Sequence, residues 1–352
     1  MRFSKSARRI GRKANMPDAA VPVIDVAPLR MDDRAAKERV AIQIDRACTE
    51  TGFFCITGHG IDPQLVARTR KAAISFFALP EELKQAIERR PEQASRGYYP
   101  FADRSLAYTL GEAAPPDLQE AWAMGPIDIP EQEIEENEIS RRFFAANLWP
   151  EGVPDFRKTL CEYYRTLSPL ADAILTGFAL ALARPETFFD DKCDRASSII
   201  RLIRYPAQTT EPVAGQLRAG AHTDYGTVTI LRGDDVPGAT QVELPSGEWI
   251  DVRPPPDSFV CNIGDAMADW TGGRWRSTLH RVANPPPDAA ASDRISIVFF
   301  HQPNHDAVLG GLGDVAGGGV TYSKHYLGKL MKASERRLDA GAGSAGSPTT
   351  LN

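Results

Sequence analysis

His222 and Asp224 are the two residues whose types and spacing point most directly to chemistry. They open the stretch His222–Leu231, which continues into a β-branched run. In an extended strand, side chains two positions apart point to the same side. An imidazole nitrogen and a carboxylate oxygen at that spacing meet at one point and suit a divalent metal ion. Two histidines and one carboxylate form the facial site of non-haem iron(II) enzymes, which leaves coordination positions open. Because His-x-Asp also arises by chance, this hypothesis needs a third ligand and a co-substrate site.

The third ligand is expected among the other five histidines of the chain. His280 is the best candidate, because it lies in the strand-like run Ser277–Val282 and follows His222 at a distance that leaves room for intervening strands. A core or surface histidine is the alternative for this position. The remaining histidines fit other roles: His59 lies between two glycines, His301 and His305 flank Pro303 near a strand end, and His325 lies in a predicted C-terminal helix.

A candidate anion clamp follows His280 in the run Arg294–Phe300. Alternation places Arg294 and Ser296 on one face of this predicted strand. A guanidinium can pair with a carboxylate through two hydrogen bonds, and the serine hydroxyl adds a further donor. Tyr205 shares a face with Arg201 in an earlier strand-like run and can donate to the same carboxylate. The alternative for Arg294 is a surface ion pair at the start of a strand.

The elements around these residues predict an N-terminal half rich in helices. Helices are predicted over residues 33–50 and after Asp62-Pro63, where aspartate serves as N-cap and proline as first helical residue. Apolar spacings of three and four predict a long amphipathic helix over residues 156–182, with a kink at Pro169. Strands are predicted at Val21–Val26, Phe53–Ile56 and Glu120–Met124. Residues 91–117, with the aromatic Gly97–Phe101, read as loop, and acidic residues 131–138 as a solvated face or loop.

The C-terminal half is predicted to be a jelly roll. Short β-rich runs separated by turns are typical of a sandwich or barrel; they are Ser198–Tyr205, Thr227–Leu231, Gln241–Leu244, Trp249–Val252, Phe259–Ile263, Ser277–Val282 and Ile295–Phe300. The predicted fold class is α+β with a mainly β core: a double-stranded β-helix with flanking N-terminal helices and one long helix.

The predicted organisation is one globular unit with a tail at each end. Residues 1–19 form a basic, disordered tail, for which an organelle-targeting leader is the alternative. Residues 20–130 form an N-terminal helix and strand region, 131–197 a linking segment with the long helix, and 198–335 the catalytic core. Residues 336–352 form a Gly/Ala/Ser-rich disordered tail.

Composition limits the function classes. The chain has 352 residues, of which 42% are hydrophobic and 25% charged, and a net charge of −5. This charge argues against nucleic acid or an anionic membrane as the main partner, and no apolar run is long enough to span a bilayer. Five cysteines without a C-x-x-C pair suit a reducing compartment. We therefore expect a cytoplasmic monomer or weak homodimer that acts on a small molecule.

The order His-x-Asp, distant His and Arg-x-Ser resembles the iron(II)- and 2-oxoglutarate-dependent dioxygenases, specifically the isopenicillin N synthase-like branch. The resemblance extends over roughly residues 20–332 and includes Asn262–Asp265 and the N-terminal Thr51–Phe54. It implies that His222, Asp224 and His280 are iron ligands, and that Arg294 and Ser296 bind the distal carboxylate of 2-oxoglutarate, with Tyr205 beside them. One departure is Ile203, where many members have an asparagine that contacts the co-substrate.

The activity implied by the resemblance is oxidation, above all hydroxylation, of an unactivated C–H bond in a small organic molecule. Dioxygen is consumed, and succinate and carbon dioxide are released. Three alternatives stay open: an iron oxidase of the same branch that does not use 2-oxoglutarate, a 2-oxoglutarate-fragmenting enzyme, and a non-catalytic metal-bound binding module. Candidate substrate residues are Tyr98, Tyr99, Phe101, Arg201 and Phe300. An inward Arg201 favours a substrate with a carbonyl or carboxylate, and a salt-bridged structural arginine is its alternative.

Overall fold

Two β-sheets form the centre of the computed structural model, which describes residues 21–90, 92–112, 114–134, 136–311 and 319–331. The strands are β1 (Val23–Asp25), β2 (Phe53–Thr57), β3 (Gly97–Tyr99), β4 (Glu120–Met124), β5 (Ile199–Tyr205), β6 (Ala219–His222), β7 (Val228–Gly233), β8 (Thr240–Glu243), β9 (Trp249–Asp251), β10 (Phe259–Ile263), β11 (His280–Val282), β12 (Arg294–His301), β13 (Val308–Leu309) and β14 (Val320–Thr321). The larger sheet has the order β1-β2-β10-β7-β12-β5-β4-β3, and the smaller has the order β6-β11-β8-β9. The tails predicted at residues 1–19 and 336–352 lie outside the described residues.

Most of the helices that flank the sheets come from the N-terminal half of the chain. They are α1 (Arg34–Glu50), α2 (Pro63–Phe77), α3 (Glu81–Gln85), α4 (Glu131–Ile134), α5 (Glu138–Phe143), α6 (Phe156–Ala181), α7 (Asp190–Cys193) and α8 (Asp265–Trp270). Residues 322–331 are also helical. Within the described chain, no helix combines the length and the apolar character needed to cross a membrane.

Local sequence explains where the main helices begin. The Asp33 carboxylate accepts a hydrogen bond from the amide of Ala36 and caps α1, and the Asp62 carboxylate accepts from the amide of Gln64 at the start of α2. The long helix α6 packs against both α1 and α2 and contains Pro169. Its buried apolar positions follow helical spacing, so its formation depends on packing one face against the rest of the core.

The sheet register brings the candidate residues to one place. Arg294 of β12 lies opposite Tyr205 of β5, and His280 of β11 lies opposite His222 of β6. Residues from both sheets line a single cavity, so the two sheets enclose it. This arrangement is the expected double-stranded β-helix, and the predicted fold class is confirmed.

Several local predictions differ from the structure. Residues 91–117 are not all loop, because β3 pairs with β4 and residues 106–110 form a 3-10 helix. A three-residue strand such as β3 is too short to show a period, and the strand that it pairs with lies more than twenty positions away. The acidic segment 131–138 begins with α4. The strand predicted from Ser277 begins only at His280.

Candidate metal centre

The structure brings His222, Asp224 and His280 together. One ligand atom from each residue lies within 4.8 Å of the other two. His222 ends β6 and His280 begins β11, and because the two positions pair directly, their ring centroids are 4.2 Å apart. Asp224 follows two residues after the end of β6. Three potential ligands therefore converge at one end of the smaller sheet.

Backbone carbonyls orient both histidine rings. Nδ1 of His222 lies 2.8 Å from the oxygen of Gly220, and Nδ1 of His280 lies 3.1 Å from the oxygen of Thr278. A carbonyl oxygen can only accept, so each Nδ1 carries the proton. The lone pair on each Nε2 is then directed at the shared point, as in histidines that bind metals.

Asp224 is buried and held through one of its two oxygens. Its Oδ2 accepts hydrogen bonds from Oγ1 of Thr229 at 2.6 Å and from Nδ2 of Asn262 at 2.7 Å. Its Oδ1 lies 3.8 Å from Nε2 of His280. The protein thus uses one oxygen to fix the carboxylate and leaves the other facing the histidines.

The protonation states suit a divalent cation. Burial, followed by the proximity of His280, lowers the pKa of His222 to about 3, so this ring is neutral near pH 7. Burial acts to raise the pKa of Asp224, but the two histidines and the hydrogen bonds from Asn262 and Thr229 outweigh it, and the pKa lies below its ordinary value. A neutral imidazole and an ionised carboxylate are the forms that bind metal.

Arg294 forms the second part of the site, near Tyr205 and Ser296. It is 3% exposed, its Cζ lies 5.4 Å from the Tyr205 ring, and its Nη1 donates to Oγ of Ser296. Among the described residues no carboxylate lies within 4.0 Å of its guanidinium, and its Nε has no hydrogen-bond partner. Burial lowers the pKa of Arg294. A buried cation without an ion-pair partner is costly, so this position is suited to an anionic ligand.

Comparison with known proteins places this geometry in a family. The C-terminal part, residues 196–303, matches the family model of the 2OG-Fe(II) oxygenase superfamily, and residues 21–152 match the N-terminal domain model described as non-haem dioxygenase in morphine synthesis. The chain is 37% identical over 297 residues to the 2-oxoglutarate-Fe(II) type oxidoreductase hxnY of Emericella nidulans, covering 83% of this chain and 82% of that protein. The chain belongs to the 2OG-Fe(II) oxygenase superfamily.

Other relatives of this oxygenase agree with that assignment. Homoarginine-6-hydroxylase 2-ODD-233 of Oryza sativa subsp. japonica is 36% identical over 302 residues, which cover 82% of this chain and 88% of the relative. A crystal structure of a full-length Neurospora crassa protein in complex with alpha-KG and thymine superimposes with a TM-score of 0.77 at 27% identity, covering 91% of this chain and 98% of that one. The oxygenase is therefore an iron(II)- and 2-oxoglutarate-dependent oxidoreductase, and its relatives favour this activity over the three alternatives.

The cavity of the oxygenase contains most of the residues predicted to bind ligands. The three metal-site residues share its wall with Ser296, Tyr205 and three predicted substrate residues: Tyr99, Arg201 and Phe300. Ile203, which stands where many members have asparagine, contributes an apolar part of the same wall. His301 is buried, and its Nδ1 lies 2.7 Å from Oγ1 of Thr227; it does not line the cavity, as strand alternation predicts.

Two predicted substrate residues, Tyr98 and Phe101, do not line the cavity. Tyr98 and Tyr99 are neighbours on β3, so they face opposite sides of the sheet. Tyr98 points into the core, where its hydroxyl donates to Oε2 of Glu120 at 2.7 Å and its ring contacts Phe76. Phe101 follows the end of the strand and is 49% exposed.

Sequence reasoning missed several residues of the site. Arg104, Tyr326 and Leu330 line the cavity from a loop and from helical residues 322–331. Asp117 is buried, and its Oδ1 accepts from the amide of Gly220, whose carbonyl orients His222. Burial raises the pKa of Asp117 to about 6, against the hydrogen bonds that it accepts. Arg104 and Asp117 belong to no periodic pattern, and the predicted helix around His325 did not indicate that Tyr326 and Leu330 would face the cavity.

Proposed function

We propose that His222, Asp224 and His280 hold iron(II), and that Arg294 and Ser296, beside Tyr205, hold the distal carboxylate of 2-oxoglutarate. In this proposal the enzyme hydroxylates an unactivated C–H bond of a small organic molecule. The observation that carries the proposal is the pairing of two features at one cavity. Three ligand atoms lie within 4.8 Å of one another. The buried guanidinium of Arg294 donates a hydrogen bond to Ser296 in the cavity wall and has no carboxylate partner among the described residues.

The donor set fits the metal. Two neutral imidazoles and one carboxylate are the ligands of the facial non-haem iron site, and each has a second contact that fixes its orientation. When bound, iron(II) supplies the activation of dioxygen, and 2-oxoglutarate supplies two electrons as it becomes succinate and carbon dioxide.

The protein's own residues orient the reactants and keep water out. Arg294 neutralises the far carboxylate of the co-substrate, while the Ser296 hydroxyl adds a hydrogen bond. Phe53, Leu231 and Val298 give the cavity apolar walls. Such walls limit the access of water, so that water does not compete with the bound substrate for oxidation.

Relatives support a small organic substrate. The named activities include homoarginine-6-hydroxylase in Oryza sativa subsp. japonica and validamycin A dioxygenase in Streptomyces hygroscopicus subsp. limoneus. The Neurospora crassa structure holds thymine. These molecules differ in shape and charge. The relatives therefore support a small organic substrate, and the residues that line the cavity determine which chemical groups it carries.

The test is an anaerobic titration of the iron(II)-loaded protein with 2-oxoglutarate. Binding of the co-substrate to the metal produces a visible charge-transfer band. We expect a saturable band in the wild type, no iron binding in His280→Ala, and a strongly raised 2-oxoglutarate Kd in Arg294→Ala.

His59→Ala and Arg276→Ala are matched controls, since neither residue lines the cavity. Both should behave as the wild type. A stoichiometric iron complex that gives no band would refute the co-substrate assignment. Full iron binding by His280→Ala would refute the ligand assignment.

A further inference from the structure

A second cationic group lies in the cavity, apart from the proposed co-substrate clamp. Arg201 of β5 and Arg104 both line it, and their guanidinium carbons lie 4.4 Å and 4.7 Å from the centroid of the Tyr99 ring. Guanidinium groups at this distance from an aromatic ring make cation–π contacts, which hold the cations in place without neutralising them. A third guanidinium over this ring, that of Arg89, is paired with Asp103 and does not line the cavity, so Arg201 and Arg104 are the two that face it.

Neither guanidinium has an acidic partner in the part of the chain that the structure describes. No carboxylate lies within 4.0 Å of either one, and Nε of Arg201 is buried without a hydrogen bond. Of the described residues that line the cavity, Asp224 carries the only carboxylate, and it belongs to the metal site. The wall facing the metal centre thus has an excess of positive charge.

Other buried arginines of this protein show what a structural role looks like. Arg218 donates to the carbonyls of Pro237, Gly238 and Ser292. Arg96 likewise donates to several backbone carbonyls. The terminal nitrogens of both guanidinium groups have acceptors supplied by the fold. Arg201 lacks such acceptors, which indicates that its acceptors come from a ligand.

The local electrostatics agree with a site for an anion. Burial, followed by the charge of Arg104, lowers the pKa of Arg201 to about 10. Burial acts to raise the pKa of Tyr99, but Arg201 and Arg104 outweigh it and hold that pKa below its ordinary value. A buried phenol whose pKa lies below its ordinary value is in a positive electrostatic field.

This cation pair is separate from the co-substrate clamp. Arg201 pairs with Val298 on β12, whereas Arg294 pairs with Tyr205. The two positions are four residues apart, roughly 13 Å along the strand. Arg201 nevertheless lines the same cavity as His222, Asp224 and His280. An anion at Arg201 would therefore lie beside the metal without occupying the place of the distal carboxylate.

We infer that Arg201 and Arg104, held against Tyr99, bind a carboxylate of the primary substrate, which is therefore an organic acid. This inference rests on the proposed function, since it places the acid next to the proposed iron site. The carboxylate fixes the orientation of the substrate, and the apolar wall that includes Val298 and Phe300 receives its hydrocarbon part. A cationic group at this end of a substrate would be repelled.

The test compares carboxylates with their neutral isosteres. Protein loaded with manganese(II) and saturated with 2-oxoglutarate is titrated with phenylacetate, 3-phenylpropionate and hexanoate, and with the primary amide of each, by calorimetry. We expect at least one acid to bind ten or more times more tightly than its amide. In Arg201→Gln and Arg104→Gln the difference should fall to about twofold or less, while the Kd of 2-oxoglutarate stays unchanged. Arg253→Gln, at an exposed surface position, should keep the full preference.

Thermal unfolding without added substrate separates a ligand-binding role from a structural one. If the acceptors of Arg201 come from a ligand, Arg201→Gln removes a positive charge that has no ion-pair partner among the described residues, and its Tm should equal or exceed that of the wild type. Arg218→Gln, which breaks three carbonyl contacts, should lower the Tm. A lowered Tm for Arg201→Gln would contradict the inference.

The remaining outcomes are also decisive. The inference is overturned if no acid binds the wild type more tightly than its amide, or if Arg201→Gln and Arg104→Gln retain the preference. Either result alongside a normal charge-transfer band would leave the proposed function intact. Loss of that band in the wild type would refute the proposed function itself.

Discussion

Replacing Gly233 with alanine should displace the Arg294 guanidinium and weaken 2-oxoglutarate binding while the protein stays folded. Gly233 ends β7 and pairs with Ser296. A Cβ added there would overlap Nη2 of Arg294 and would lie 3.2 Å from its Cζ and 3.4 Å from Oγ of Ser296. Ordinary contacts between such atoms are about 3.5 Å or longer, so the guanidinium must withdraw by about 1 Å.

Gly233→Ala should weaken 2-oxoglutarate binding and leave the unfolding free energy nearly unchanged. The overlapping atom is the end of a flexible side chain, which can move without disturbing the strand. Loss of a well-placed hydrogen bond to a charged group costs about 1.5–3 kcal/mol, which corresponds to a rise in Kd of about 10- to 100-fold. Alanine in place of glycine also restricts the unfolded chain, so we expect the unfolding free energy to stay within about 1 kcal/mol of the wild type.

The assay is the anaerobic 2-oxoglutarate titration of iron(II)-loaded Gly233→Ala, together with urea unfolding. Gly311→Ala is the matched control, because nothing lies within 4 Å of a Cβ added at that position. An unchanged 2-oxoglutarate Kd in folded Gly233→Ala would refute the clamp geometry. A large loss of stability would show instead that the guanidinium cannot move.

Three further outcomes follow from the described contacts. Asn262→Ala removes a 2.7 Å hydrogen bond to Asp224, and metal affinity, measured by competition with a chelator, should fall about 10- to 100-fold; unchanged affinity would contradict a positioning role. Burial lowers the pKa of His301 from 6.5 to about 4, so below pH 6.5 the unfolded chain takes up a proton that the folded chain does not. His301 should therefore account for about 2 kcal/mol of lost unfolding free energy between about pH 7.5 and pH 5, measured as the difference in pH dependence between the wild type and His301→Gln; urea titrations of His301→Gln that keep the wild-type pH dependence would disprove this. Tyr98→Phe removes a buried hydrogen bond to Glu120 and should lower stability by about 1.5–3 kcal/mol, with no change in 2-oxoglutarate Kd.

Strand alternation predicted the metal and clamp residues because it needs only the local sequence. The spacing of Arg294 and Ser296 indicates a shared side of β12 whatever that strand pairs with. Asp224 lies beside His222 as predicted, although β6 ends at His222 and the carboxylate follows the strand. The pairing of His222 with His280 was not accessible in this way, since it depends on a register between strands far apart in the chain. The fold class followed from a change in the spacing of apolar residues. Helical spacings of three and four in the N-terminal half give way to short β-rich runs in the C-terminal half.

The cavity residues proposed to contact the substrate were harder to predict, because their positions depend on strand pairing and packing between segments far apart in the chain. Tyr98 and Tyr99 differ by one position, and only the pairing of β3 with β4 decides which of them faces the cavity. Arg104 lies in a loop without periodicity, and its place against Tyr99 comes from tertiary packing alone. A C-terminal helix was predicted around His325, but nothing in the sequence indicated that Tyr326 would line the cavity.

The residues that line the cavity come from two kinds of segment: the strands of the two central sheets, and segments outside those strands. This difference affects how the substrate preference of the protein can evolve. The proposed metal and co-substrate residues lie on or beside strands of the two central sheets, whereas Arg104, Leu106, Thr109, Tyr326 and Leu330 come from segments outside those strands. Mutations in these outer segments can alter substrate preference without touching the oxidising centre. Divergence among relatives should therefore concentrate there, and exchange of these segments offers a direct route to enzymes with new substrates.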